Sequence, residues 1–200
     1  MKKILLVLLL VIALFGCEKE KEYSSDTGCW DNSTYTSEFF HFSITYPEGY
    51  SVYDERQMAQ VLGMTLLELQ EMSMNETTYE YMIAPELNSP LFQFYVEKYQ
   101  FTIGVTYEDF LYNLVTQLGK EKEIYFAVGA IQDLTINDVE VKKIPLIAYA
   151  GFFMLKQDLY LFNEGTYVAT IMVTYTDEMQ QEVDDIIKTI TFANAKCGTE

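Results

Sequence analysis

The chain has 200 residues, with 13 Lys and Arg against 30 Asp and Glu, for a formal charge of −17. Such acidity repels nucleic acid and anionic lipid surfaces and leaves cationic, neutral or metal-bearing partners. The acids are scattered along the chain, as in a charge that only keeps an exported domain soluble, and the length suits one domain with a sizeable core.

Lys2 and Lys3 precede an unbroken apolar run from Ile4 to Phe15, the layout of an export signal. The run is too short to span a bilayer, for which a helix needs roughly 20 apolar residues. Leu14-Phe15-Gly16-Cys17 resembles the lipobox of bacterial lipoproteins, although Phe15 is bulkier than the residue usual at its position. That resemblance implies a signal peptide over 1–16 and lipidation of Cys17. The acyl chains would fix the protein to the extracytoplasmic face of the cell membrane without spanning it. An ordinary secreted chain and an uncleaved anchor are the alternatives. Residues 18–37 lack apolar periodicity, so 17–37 reads as lipidated Cys and flexible tether and 38–197 as a single domain. Cys29 and Cys197 could clip the ends of the chain together or stay as free thiols, because geometry is not visible in spacing. Two cysteines with no histidine nearby are poorly suited to a metal.

Within the domain, Phe40, Phe42, Ile44 and Tyr46 alternate with His41, Ser43 and Thr45, which predicts a strand over 39–46, turned by Pro47-Glu48-Gly49. Residues 54–75 read as two helices broken near Gly63, the second opened by a Thr65–Glu68 capping box. Strands are expected at 78–84 and 91–99. A helix follows, with Thr106 as cap, Asp109 as its reciprocal partner and a stripe of Tyr107, Phe110, Leu111, Leu114, Val115 and Leu118 ending at Gly119. Strands at 124–136 and 139–149 would join through Asn137-Asp138. Asp158–Phe162 and 166–175 would form a hairpin through Asn163-Glu164-Gly165, the second strand half-buried by its alternation. A last helix, capped by Thr176 or Asp177, carries Met179, Val183, Ile186, Ile187 and Ile190 on one face. The sum is α+β, a mostly antiparallel sheet flanked by helices.

Phe42 to Tyr50, Thr135-Ile136-Asn137-Asp138-Val139, and the closing block of Tyr160 to Phe162, Tyr167 to Val173 and Ile190-Thr191-Phe192 resemble the PsbP/Mog1-like family over about residues 38–193. The resemblance implies an α+β sandwich and an accessory, assembly or protein-binding role. It carries over no catalytic residue, and residues 54–75 depart from the family plan.

Catalytic equipment is sparse. His41 is the only histidine, which excludes a multi-His metal centre. GxSxG, HExxH, GxxxxGK[ST] and GxGxxG are all missing. Asp184 and Asp185 read as a solvated helix face, and Asn137-Asp138 with Glu140 as a plain turn. No catalytic residue, metal or cofactor is assigned. Aromatics are the unusual resource, at 15% of the chain. Tyr79 and Tyr81 are placed with Ile83 on a buried face, whereas Tyr95, sharing a face with Gln93 and Glu97, is the candidate for an exposed interaction surface. The sequence thus predicts a non-catalytic, membrane-anchored binding or accessory module contacting another envelope protein. The alternative is an envelope small-ligand receptor or carboxylate-based enzyme, whose mark would be a pocket of converging carboxylates with raised pKa.

Overall fold

The computed structural model describes residues 22–24, 27–75, 77–85, 89–98, 106–120, 125–150, 153–193 and 196–197. The segment 1–16, expected to be a signal peptide, and Cys17 lie outside this set. Among the described residues no helix is long and apolar enough to cross a membrane.

Alternating aromatic and β-branched residues build two antiparallel sheets. The smaller has the order β1 (Gly28–Asp31), β2 (Thr34–Ser37), β3 (Phe42–Thr45), β12 (Thr191–Phe192). The larger runs β4 (Ser51–Val52), β5 (Thr77–Ala84), β6 (Leu91–Lys98), β11 (Tyr167–Tyr175), β10 (Phe153–Glu164), β9 (Val139–Ala150), β7 (Tyr125–Val128), with β8 (Gln132–Ile136) also on β9. The smaller sheet and α4 (Gln180–Ile187) cover one face of the larger. Between them Phe42, Ile44, Tyr81, Phe92, Phe94, Ile171 and Val173 are buried. On the other face α1 (Glu55–Leu62) and α2 (Leu66–Asn75) lie over Met82. Beside them α3 (Tyr107–Leu118) covers Ile144, Leu146, Leu161 and Val168. Each of these contacts removes apolar surface from water at about 25 cal/mol per Å².

Several expectations shift. Residues 28–37, expected as part of a tether over 17–37, belong instead to the domain as β1 and β2. The single strand expected over 124–136 is split: Val128 pairs with Leu146, and the next strand resumes with Gln132 opposite Lys143. The break falls at Pro145, which has no N–H to give on that edge. Gly129 hands its own N–H to the Pro145 carbonyl at 2.8 Å, where a Cβ would come 2.7 Å from the proline ring. β11 is buried on both faces, not one, because α3 occupies the side that alternation assigned to solvent. His41 has φ 55° and sits in the turn before β3.

The helix caps behave unevenly. Thr106 and Asp109 form the expected capping box at the start of α3. Thr176 makes no side-chain cap bond, and the chain passes through a one-turn 3-10 segment before α4. Ile190 lies beyond the end of α4 yet remains buried, so the apolar stripe outlasts its helix.

Candidate functional site

The smaller sheet and α4 cover only part of the larger sheet's inner face. Period-two alternation puts Lys143, Pro145, Ile147 and Tyr149 of β9 on that face. The register sets Met154 beside Tyr149, Lys156 beside Ile147 and Asp158 beside Pro145. On the outer side Tyr125 and Ala127 of β7 face Tyr149 and Ile147. This uncovered part forms an open groove of about 460 Å³, closed on one side by Tyr175 and Gln180. Beyond its mouth Tyr125, Tyr149 and Met154 stand exposed, with the two tyrosine rings 5.7 Å apart.

The inner end of the groove is charged. Asp158, 2% exposed, accepts a 2.6 Å hydrogen bond from the Tyr175 hydroxyl and pairs with Lys143 Nζ at 2.7 Å. Lys143 Nζ also lies 5.3 Å from the centre of the Tyr160 ring. At the rim Lys156 pairs with Asp177 and sits over the Tyr175 ring. Burial foremost, then the Asp158 charge, holds the Tyr160 phenol far above its ordinary pKa. Burial and the bond to Asp158 do the same for Tyr175. Both phenols are therefore fixed as neutral donors. The groove's one buried carboxylate is engaged by a lysine and a tyrosine, an arrangement suited to rigid, oriented binding.

A second acid, half-buried, lies across the core. The ladder between β5 and β6 slips between Tyr79 and Tyr81, leaving Glu80 as the extra residue. This bulge rotates Tyr79 to the helix face, against the expected Tyr79/Tyr81 pairing on one side. Glu80 turns toward the smaller sheet, where it accepts from Tyr35 at 3.1 Å and from the hydroxyl of Tyr23. Burial raises the Glu80 carboxyl to about 8. Because the folded pKa exceeds the unfolded value, this contribution is fully present below about pH 4.5 and is lost as pH rises towards 8. We expect stability to decline by up to about 1 kcal/mol per pH unit over that window, a slope that Glu80→Gln should flatten in denaturant titrations. Equal slopes in the two proteins would refute it.

The remaining sequence-selected residues fall as follows. Cys29 and Cys197 are joined as a disulfide with Cα atoms 5.8 Å apart. Tyr95 is not an exposed recognition residue: it is largely buried on the helix-covered face, its ring 5.4 Å from Tyr79. Its neighbour Gln93 is itself only 4% exposed, because this face carries α1–α3 where the alternation implied water. His41 lies exposed at another shallow groove, with Glu140 and Glu164 on its rim. Asp184 and Asp185 accept from Gln180 and Gln181 one turn earlier. Asn137 and Asp138 make the left-handed turn between β8 and β9. Among the described residues no group of three or more His, Cys, Asp or Glu is placed to hold a metal ion. Lys143, Asp158, Tyr175 and Glu80 escaped the sequence reading. The available signal was a charge, Asp158, at a core-facing position of the run that continues with Tyr160 and Phe162.

A twisted antiparallel sheet, sandwiched by a smaller sheet and α4 on one face and by helices on the other, is a PsbP-like α+β fold, as the sequence resemblance implied. The chain is similar in structure to cyanobacterial PsbP (CyanoP) from Synechocystis, with a TM-score of 0.54, 8% identity and coverage of 80% of this chain and 91% of that one. A second similar structure is LpqN of Mycobacterium tuberculosis, described as involved in cell envelope biogenesis, with a TM-score of 0.44, 10% identity and coverage of 75% and 82%. No family model and no curated protein sequence matches the chain.

Proposed function

We propose that the protein is an extracytoplasmic lipoprotein, anchored through Cys17, whose PsbP-like domain is a non-catalytic binding or accessory module. Its groove docks a segment of another envelope protein. The observation that carries this reading is the uncovered part of the larger sheet: a concave apolar strip with a charged, hydrogen-bonded inner end. Apolar side chains of the partner would lie along Ile147, Tyr149 and Met154, with a polar group meeting the paired lysines. The leader and lipobox support the address, and a disulfide between Cys29 and Cys197 suits an oxidising compartment outside the cytoplasm.

The test is cross-linked capture from native membranes with three variants. Tyr149→Asp with Met154→Asp should cut recovery of the specific partner by about tenfold or more, as loss of anchoring side chains does at an interface. Leu67→Asp, on the exposed face of α2, should leave it unchanged. Cys17→Ala should release the protein from the membrane fraction. Recovery indifferent to the groove variants would refute the docking site, and a Cys17→Ala chain that stays membrane-bound would refute the lipid anchor.

A further inference from the structure

We infer that Tyr23 latches the N-terminal arm to one end of the sandwich, so that the membrane attachment lies at the opposite end from the groove. The inference rests on the proposed attachment at residue 17. Tyr23 packs its ring 5.2 Å from Phe39 and 5.5 Å from Tyr167, and its hydroxyl donates to Glu80. The bulge at Glu80 is what brings that acceptor to the arm. The disulfide between Cys29 and Cys197 ties the C-terminal segment to β1 a few residues further on, and the Cys197 N–H donates to Glu38 at 2.7 Å.

Tyr167 begins β11 and Tyr175 ends it at the groove, so eight residues at ~3.3 Å each place the two about 26 Å apart. Cys17 and Tyr23 are only six residue steps apart, a covalent span of at most about 21 Å. The anchored end is therefore held near the bilayer, and the charge of −17 disfavours the domain lying flat on anionic headgroups. With the latch end toward the bilayer, the groove stands about 26 Å further out, roughly three Debye lengths of about 8 Å, where the membrane's field is screened. Its occupant is a protein segment that projects from the membrane or approaches from the far side, and not a headgroup of the anchoring leaflet.

β10 supplies both reporters for a test, since Met154 lies at the groove end and Glu164, paired with Tyr167, at the latch end. A fluorescent noncanonical residue is placed at either position in the full-length chain, and energy transfer to a headgroup-bound acceptor is read in native membrane vesicles. Transfer from position 164 should exceed that from 154 several-fold. Tyr23→Ser should bring the ratio towards unity, because the arm is then free as far as β1. Equal or inverted transfer in the unsubstituted chain, a ratio unmoved by Tyr23→Ser, or a chain found free of the membrane would each overturn the inference. Failure to capture a partner would leave the transfer ratio untouched, so the two readings fail separately.

Discussion

Replacing Cys29 and Cys197 together by alanine is expected to lower the free energy of unfolding by about 3–5 kcal/mol. The bridge joins residues 168 apart in sequence. Closing so long a loop restricts the unfolded chain, and chain-entropy arguments assign it about 5 kcal/mol, with measured values commonly smaller. In the native protein β1 is a four-residue edge strand whose ladder runs only to β2. Its side-chain support comes from Trp30, which packs 5.3 Å from Tyr35 and 5.1 Å from Tyr81. Beyond β12 the C-terminal segment has the bond from the Cys197 N–H to Glu38 near the bridge. Reduction of the unsubstituted protein should produce the same loss, since both treatments remove one covalent constraint. Equilibrium denaturation with and without reductant measures it. A loss below about 1 kcal/mol in both would show that the ladder and Trp30 hold the ends unaided.

Asp158→Ala is expected to cost about 3–5 kcal/mol, because it strands a charge. The Lys143 side chain is only 18% exposed and would keep its ammonium without a counter-ion. Tyr175 would lose the acceptor of its 2.6 Å bond. Lys143→Met should cost a similar amount for the mirror reason, leaving a carboxylate that is 2% exposed. The double variant Lys143→Met with Asp158→Leu should recover most of the loss, since an apolar pair of comparable volume avoids the desolvation that the ion pair endures. A double-mutant cycle reads this directly. Additive losses would mean that the two residues do not act as a pair. The double variant also separates fold from function: a stable protein that no longer retains its partner places the charged inner end of the groove in recognition.

The elements themselves were largely legible. The Thr106–Asp109 box, the alternation of Phe42 and Ile44, and the Asn137-Asp138 turn are local, and local chemistry specifies them. Errors arose where a neighbour outvoted the local pattern. Tyr95 looked solvent-facing by its companions Gln93 and Glu97, yet three helices occupy that side of the sheet. Tyr79 and Tyr81 share a period-two face on paper, but the bulge at Glu80 separates them. Apart from Trp30 and Tyr35, residues 28–37 carry polar and small side chains without a clean apolar repeat, and their pairing comes from β3 and from the bridge to Cys197.

By itself the sequence determined the α+β class, most helices and strands, and the acidic charge, because periodicity and capping act over a few residues. It also holds the apolar run and the Leu14-Phe15-Gly16-Cys17 segment, which resembles a lipobox and on which the proposed address rests. Only the tertiary structure decided which faces are covered, that Cys29 meets Cys197, and that Lys143, Asp158 and Tyr175 converge beside an open groove. Those facts depend on contacts between residues far apart in the chain, and burial on a sheet face is set by what packs across it.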